Sequence, residues 1–171
     1  MGAVHNLFLR RKEIDQNTLQ YTYIFQDQPL SPANQIITRL FRQMILAVEE
    51  SLDGLEVEYV DAFMAKQMGA RRAAELLTLL GANSKNITDN KRGEFVLSRT
   101  FRTNLREEAL VYFKQIKDLE DLSAYRLLSG DTVKVEVYFA KTMSVWVNQK
   151  EEEKLLALLE DDRIPYKVFN V

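Results

Sequence analysis

The spacing of apolar and polar residues predicts short strands and amphipathic helices in alternation. β-forming residues concentrate in residues 3–11 and 18–26, on either side of a polar stretch, and this predicts an N-terminal β-hairpin. Apolar residues then recur at three- and four-residue spacing over 36–48. Ser31-Pro32 before them is typical of a helix N-cap followed by proline at the first helical position, and Asp53-Gly54 is expected to end the helix.

The rest of the first half predicts one strand and one helix. Leu55, Val57 and Tyr59 alternate with polar residues, which favours a strand, and residues 65–80 have a helical pattern ended by Gly81. Residues 82–92 are polar and contain few apolar side chains, so we expect a loop there and, if two units exist, the boundary between them.

The second half predicts a regular order of elements. Asn104 with Glu107, and Asn148 with Glu151, have the spacing of capping boxes at the start of two helices. The predicted elements are a strand at 94–102, a helix from 104, a short helix at 118–128, strands at 132–139 and 143–147 forming a hairpin, a helix from 148 and a strand at 166–171.

These elements indicate an α+β protein with antiparallel or mixed sheets packed against helices. The main elements of the second half follow the order strand, helix, strand, strand, helix, strand (βαββαβ), which is ferredoxin-like, whereas the first half is ββαβα. We therefore expect an N-terminal half at 1–84 and a ferredoxin-like half at 85–171, which could also form one continuous domain. Fold class of this kind does not define function.

Composition excludes several kinds of chemistry. The chain has 171 residues, 46% of them hydrophobic, with no cysteine and one histidine, His5. Thiolate nucleophiles and cysteine-bound metals are thereby excluded, and Ser-His-Asp catalysis has little support. No glycine-rich phosphate-binding motif is present. We expect no cofactor and no bound metal. Without an export signal or an apolar run of about 20 residues, we expect a cytoplasmic protein with no membrane partner.

Carboxylates are the remaining candidates for catalysis. Glu56, Glu58 and Asp61 are close enough in sequence to bind a hard cation, which would make the chain a carboxylate- or metal-dependent enzyme. The alternation with Leu55 and Val57 favours an ordinary solvated strand face instead.

Basic residues over 85–117 suggest nucleic-acid binding as an alternative function. This segment has four more basic than acidic residues, whereas 118–171 has four more acidic than basic ones. A run of cations with interleaved aromatic rings could neutralise phosphates and stack bases. The candidate residues are Lys91, Arg92, Arg99, Arg102, Arg106, Phe95 and Phe101.

An exposed aromatic spot is the candidate protein interface. On the strand 143–147, Trp146 should point away from its apolar neighbours, and Tyr138 of the paired strand could join it. The interpretation we favour is a non-catalytic interaction or regulatory module that binds a protein partner and self-associates as a homo-oligomer through its sheet or the face around Trp146.

Overall fold

The computed structural model describes residues 6–25 and 34–171 of the chain. Nine strands and five helices are formed by these residues, with short 3-10 turns at Glu49–Ser51 and Leu119–Asp121. The strands are β1 (Leu7–Glu13), β2 (Leu19–Ile24), β3 (Gly54–Tyr59), β4 (Ile87–Arg92), β5 (Phe95–Asn104), β6 (Ala124–Ser129), β7 (Thr132–Tyr138), β8 (Thr142–Val147) and β9 (Tyr166–Asn170). The helices are α1 (Asn34–Val48), α2 (Asp61–Met68), α3 (Ala70–Leu80), α4 (Glu107–Lys114) and α5 (Gln149–Asp161).

All nine strands belong to one mixed sheet, in the order β4-β5-β3-β6-β7-β8-β2-β1-β9. Neighbouring strands are antiparallel except β1 and β9, which run parallel. Strands from the two predicted halves are interleaved in it, since β3 lies between β5 and β6. The α+β class is confirmed, with a mixed sheet.

The apolar side of the sheet packs against the helices. In the register of the strands, Leu55, Leu127, Val135, Val145 and Tyr21 lie side by side, and all five are buried. The helix α1 packs against β7, β8, α4 and α5. Its apolar stripe forms one core with the strands because residues three and four apart share a helix face.

The opposite side of the sheet, called here the open face, has a row of charged side chains across its central strands. Glu136, Arg126, Glu56 and Arg102 lie in one row across β7, β6, β3 and β5. Arg126 pairs with both glutamates, through Nε to Oε2 of Glu136 at 2.5 Å and through Nη1 to Oε1 of Glu56 at 2.9 Å. Opposite charges on adjacent strands stabilise such a face.

Local sequence signals identified several elements correctly. The β1–β2 and β7–β8 hairpins form as predicted, and Asn148 and Glu151 make the capping box at the start of α5. The predicted cap of α1 at Ser31-Pro32 lies outside the described residues. The helix predicted at 65–80 is present as α2 and α3, which are separated by Gly69 at φ +87°.

Three predictions between residues 82 and 128 were wrong. The predicted loop at 82–92 contains β4, and the predicted helix at 118–128 contains a 3-10 turn followed by β6. Asn104 is the last residue of β5, so it does not cap α4, which has no side-chain cap.

The ferredoxin-like subdivision is not confirmed. β5 pairs with β3 from the first half, and β9 pairs with β1. The second half therefore does not close its own four-stranded sheet. Within the part of the chain that the structure describes, no helix has the length and apolar character needed to cross a membrane.

Candidate functional site: the apolar end of the sheet

Exposed apolar side chains gather at one end of the sheet. Arg99 of β5 lies opposite Tyr59, the last residue of β3, and Tyr138, the last residue of β7, lies opposite Ala124, the first of β6. The start of β5, the end of β7 and the connection from β3 to α2 therefore lie at the same end. The exposed side chains there are Phe63, Phe95, Val96, Leu97, Tyr138 and Phe139. We call this group the apolar end.

The β4–β5 hairpin carries the most exposed part of the apolar end. Gly93 has φ +62°, which suits the tight turn between Arg92 and Phe95. Because β5 continues past the end of β3, this tip projects beyond the body of the sheet. Phe95 is 77% exposed, Val96 42% and Leu97 56%. Three consecutive apolar residues are thus presented to solvent, next to Lys91 and Arg92.

A bulge sets the directions of these side chains. Ser98 pairs with Asn90, but Val96 pairs with Lys91, so Leu97 is an extra residue in β5. The alternation shifts by one residue there. Phe95 lies beside Arg92 on the side of Ser98, whereas Phe101 lies on the helix-covered side. Regular alternation along a strand at 94–102 would place Phe95, Leu97 and Phe101 on one face, but the bulge puts Phe95 and Phe101 on opposite faces.

A pocket of about 500 Å³ opens beside the β7–β8 turn. The pocket is lined by the apolar residues Val60, Phe63, Leu122 and Phe139, and Glu120 also lines it. The Phe139 ring packs edge to face on Tyr138 with ring centroids 4.8 Å apart. A pocket with these walls could accept an aromatic or aliphatic side chain.

The turn that presents Phe139 is strained. Phe139 has φ +46° and Ala140 φ +52°, a left-handed conformation that asparagine and glycine normally occupy in such hairpins. The Phe139 N–H donates to the Ser123 carbonyl oxygen at 2.7 Å, and the Lys141 N–H donates to that of Tyr138 at 2.8 Å. These two hydrogen bonds hold the turn in place. Backbone strain of this kind often occurs at binding surfaces.

The predicted nucleic-acid residues do not form one surface. Arg99 pairs with Asp61 at 2.8 Å and with Asp89 at 3.0 Å, and Phe101 is fully buried. Arg102 pairs with Asp131 at 2.7 Å on the open face.

Arg106 is also occupied, since it donates to the carbonyl oxygens of Thr78 and Leu79 at the end of α3. Three of the predicted residues, Lys91, Arg92 and Phe95, do meet at the hairpin tip. Lys91 and Arg92 form no ion pair with any residue that the structure describes.

The three predicted carboxylates do not converge. Glu56 pairs with Arg126, Glu58 accepts a hydrogen bond of 2.7 Å from Ser98 Oγ, and Asp61 pairs with Arg99. In residues 6–25 and 34–171, no group of three or more His, Asp or Glu side chains could hold a metal ion.

Trp146 and Tyr138 lie on the open face but at separate places. Tyr138 pairs with Thr142, four residues before Trp146 on β8, so the two are about 13 Å apart along the strand. Trp146 is half-buried in a row with Gln20 and Lys12, whereas Tyr138 belongs to the apolar end.

The opposite end of the sheet is polar and internally paired. Glu152 of α5 accepts hydrogen bonds from Tyr21 Oη at 2.6 Å and from Arg11 Nε at 2.7 Å. Burial opposes ionisation of Glu152, but these two hydrogen bonds outweigh it and hold its pKa below the ordinary value. Burial and the same carboxylate raise the pKa of Tyr21. The cluster joins α5 to β1 and β2.

Comparison of the chain with protein-family models, curated proteins and solved structures finds no match in any of the three. The site must therefore be interpreted from its own geometry. Sequence reasoning missed Phe63, Val96, Leu97 and Phe139. The available signal for Phe139 was a short hairpin connection, Phe139-Ala140-Lys141, that lacks the glycine or asparagine usual in such turns.

Proposed function

We propose that this chain is a non-catalytic protein-interaction module that binds its partner through the apolar end. The observation that carries the proposal is the run Phe95, Val96 and Leu97, exposed on a hairpin tip that projects from the sheet. Contiguous apolar surface is costly to leave in water and marks interaction sites in folded proteins. The pocket beside Phe139 adds a concave feature in which an anchoring side chain could bind.

The basic residues beside the apolar end indicate the charge of its partner. Lys91 and Arg92 flank the exposed apolar residues without an ion pair among the described residues. A partner segment with acidic residues next to aromatic or aliphatic ones would complement this surface. Its apolar side chains would contact Phe95 and Leu97, and its carboxylates would contact Lys91 and Arg92.

A displayed library of random twelve-residue peptides provides a probe that requires no known partner. We expect selection on the wild-type protein to enrich peptides that combine Phe, Leu or Trp with Asp or Glu. Burial of a phenylalanine side chain contributes about 1.5–3 kcal/mol, so Phe95→Ser should weaken an enriched peptide at least about tenfold. The readout is fluorescence anisotropy of the labelled peptide.

Ile14→Ser is the matched control, because Ile14 is also an exposed apolar residue but lies in the β1–β2 turn at the other end of the sheet. It should leave peptide affinity unchanged, and circular dichroism should show both variants folded. The proposal fails if selection enriches no peptide above background, or if Phe95→Ser and Ile14→Ser weaken binding equally.

Single-stranded nucleic acid is a second candidate, because Phe95 lies directly opposite Arg92 at the hairpin tip. A ring beside a cation can stack a base and neutralise a phosphate. Titration with labelled single-stranded RNA at about 50 and about 200 mM salt distinguishes the two candidates. RNA binding that weakens steeply with salt and is lost in Phe95→Ser would replace the protein partner with nucleic acid.

A further inference from the structure

The edge strand β9 has an outer side that β1 does not use. The Leu7 N–H donates to the Pro165 carbonyl oxygen at 2.8 Å, and the Val171 N–H donates to that of Arg11 at 2.9 Å. Between these two hydrogen bonds, β9 runs parallel to β1. In this pairing, the backbone groups of residues 165, 167, 169 and 171 point towards β1. The N–H and C=O groups of Tyr166, Val168 and Asn170 therefore point away from the sheet.

This outer side differs from the other edge of the sheet. The edge strand β4 has the charged residues Asp89, Lys91 and Arg92, and its register with β5 is interrupted after Asn90, features that discourage pairing with another strand. In β9, Lys167 is the one charged residue and its register with β1 is regular. Pro165 does not block the outer side, because its nitrogen faces β1.

The side chains of β9 are self-complementary in one register. An antiparallel pair centred on Val168 places Val168 against its own copy, Tyr166 against Asn170 and Lys167 against Phe169. All six outward backbone groups of each copy would then be hydrogen-bonded. Phe169 is held on the open face by an edge-to-face contact with Phe8, with ring centroids 5.5 Å apart, so its ring would be available to the partner's lysine ammonium.

Other registers are poorer. A slip by two residues towards the start of β9 places Lys167 against Lys167 of the second copy, which is repulsive. A slip by two towards the end places Lys167 against Val171 and Phe169 against its own copy, so the lysine ammonium no longer faces the aromatic ring. A two-fold symmetric interface requires a surface that is complementary to itself, and β9 satisfies this in the centred register.

We infer that two copies of this chain associate through β9, paired antiparallel about Val168, so that the two sheets continue into one another. Because this register is self-complementary, the strand that pairs with the edge of β9 is β9 of a second copy. The dimer does not involve the apolar end, whose residues belong to α2, β5, β7 and the β7–β8 turn and not to β9. Five paired residues per copy are a small interface, so the dimer should form in a concentration-dependent way.

Sedimentation velocity over about 5 to about 500 µM protein tests the association. We expect the mass to rise from 19.9 kDa towards twice that value. Val168→Pro removes an outward N–H at the centre of the pairing without removing a bond to β1, and it should keep the protein monomeric. Val168→Ala retains the N–H and should still dimerise. A monomer at every concentration, or a dimer that persists in Val168→Pro, overturns the inference.

Disulfide trapping tests the register, because the chain contains no native cysteine. In the centred register, positions 167 and 169 of opposite copies form a pair without mutual hydrogen bonds, with Cα atoms about 4.5 Å apart, within the range of a disulfide. The double variant Lys167→Cys/Phe169→Cys should therefore form a covalent dimer on mild oxidation at least tenfold faster than either single variant. Equal rates for the double and single variants would exclude this register.

Discussion

Substitution of Ala140 by glycine should stabilise the protein. Ala140 and Phe139 occupy the left-handed region in the β7–β8 turn, with φ +52° and +46°. A residue with a Cβ atom is strained there, whereas glycine is not. Ala140→Gly removes one methyl group from a partly exposed position and leaves both hydrogen bonds of the turn in place. The change therefore affects mainly the backbone conformational energy.

Two opposing effects determine how much Ala140→Gly should change the free energy of unfolding. The left-handed conformation costs a residue with a Cβ about 1–2 kcal/mol, and glycine increases the entropy of the unfolded chain at a cost of about 0.4–1 kcal/mol. The net increase in the free energy of unfolding should be about 0.5–1 kcal/mol. For a chain of this size, this corresponds to an increase in Tm of about 1–4 °C.

Gly130→Ala is the matched control with the opposite sign. Gly130 has φ +59° in the β6–β7 turn, and a Cβ there would have no atom within 4 Å, so only the backbone strain should change. We expect a loss of similar size. The free energy of unfolding of both variants is measured by urea denaturation, monitored by circular dichroism and by the fluorescence of Trp146, the single tryptophan. If Gly130→Ala is destabilising while Ala140→Gly has no effect or is also destabilising, the β7–β8 turn is not strained.

Three further substitutions test other parts of the structure. A hydrogen bond from Arg39 lowers the pKa of Asp162, so the ionised carboxylate stabilises the folded protein. This stabilisation is complete above the unfolded-state pKa of about 4, and it is lost as the pH falls through the lower pKa of the folded state. Asp162→Asn should therefore reduce the loss of Tm on acidification below about pH 4. Burial raises the pKa of Asp121, so its ionisation opposes folding, and Asp121→Asn should raise Tm at pH 7 but not at a pH below about 4. Gly81→Ala should lower the free energy of unfolding by about 2 kcal/mol or more, measured in urea, because Gly81 has φ +107° and an added Cβ would lie 2.9 Å from Cγ2 of Thr103.

The elements predicted correctly are those determined by neighbouring residues. The β7–β8 hairpin follows from alternating residues on both sides of a short connection, and the start of α5 follows from Asn148, whose side chain accepts from the Glu151 N–H at 2.8 Å. Both signals lie within a few residues of the structure they specify. Sequence analysis can therefore identify them without knowledge of the rest of the fold.

The elements predicted wrongly depend on distant partners. β4 is polar and almost entirely exposed, so it has no alternation, and its pairing with β5 is what makes it a strand. β6 is a central strand in which Ala124, Tyr125, Leu127 and Leu128 are buried on both faces, a pattern that does not distinguish a strand from a helix. The parallel pairing of β9 with β1 joins the two ends of the chain and has no local signal.

The site was predicted in part for the same reason. Lys91, Arg92 and Phe95 meet at the hairpin tip because they are close in sequence. Arg99 and Arg102, in contrast, are paired with acidic residues that the sequence did not associate with them: Asp61, Asp89 and Asp131. The bulge at Leu97, which turns Phe95 away from the side of Phe101, also depends on the partner strand.

Binding at the open face around Trp146 remains a prediction, and the charges of that face argue against it. Arg126 already pairs with Glu56 and Glu136, and a partner that covered them would have to remove these charges from water without providing a new counter-ion. The apolar end carries no such cost, because covering Phe95 and Leu97 releases water from apolar surface. Trp146→Phe, which keeps an aromatic ring at the half-buried position, should therefore leave peptide affinity unchanged; a loss as large as that of Phe95→Ser would place the binding surface on the open face instead.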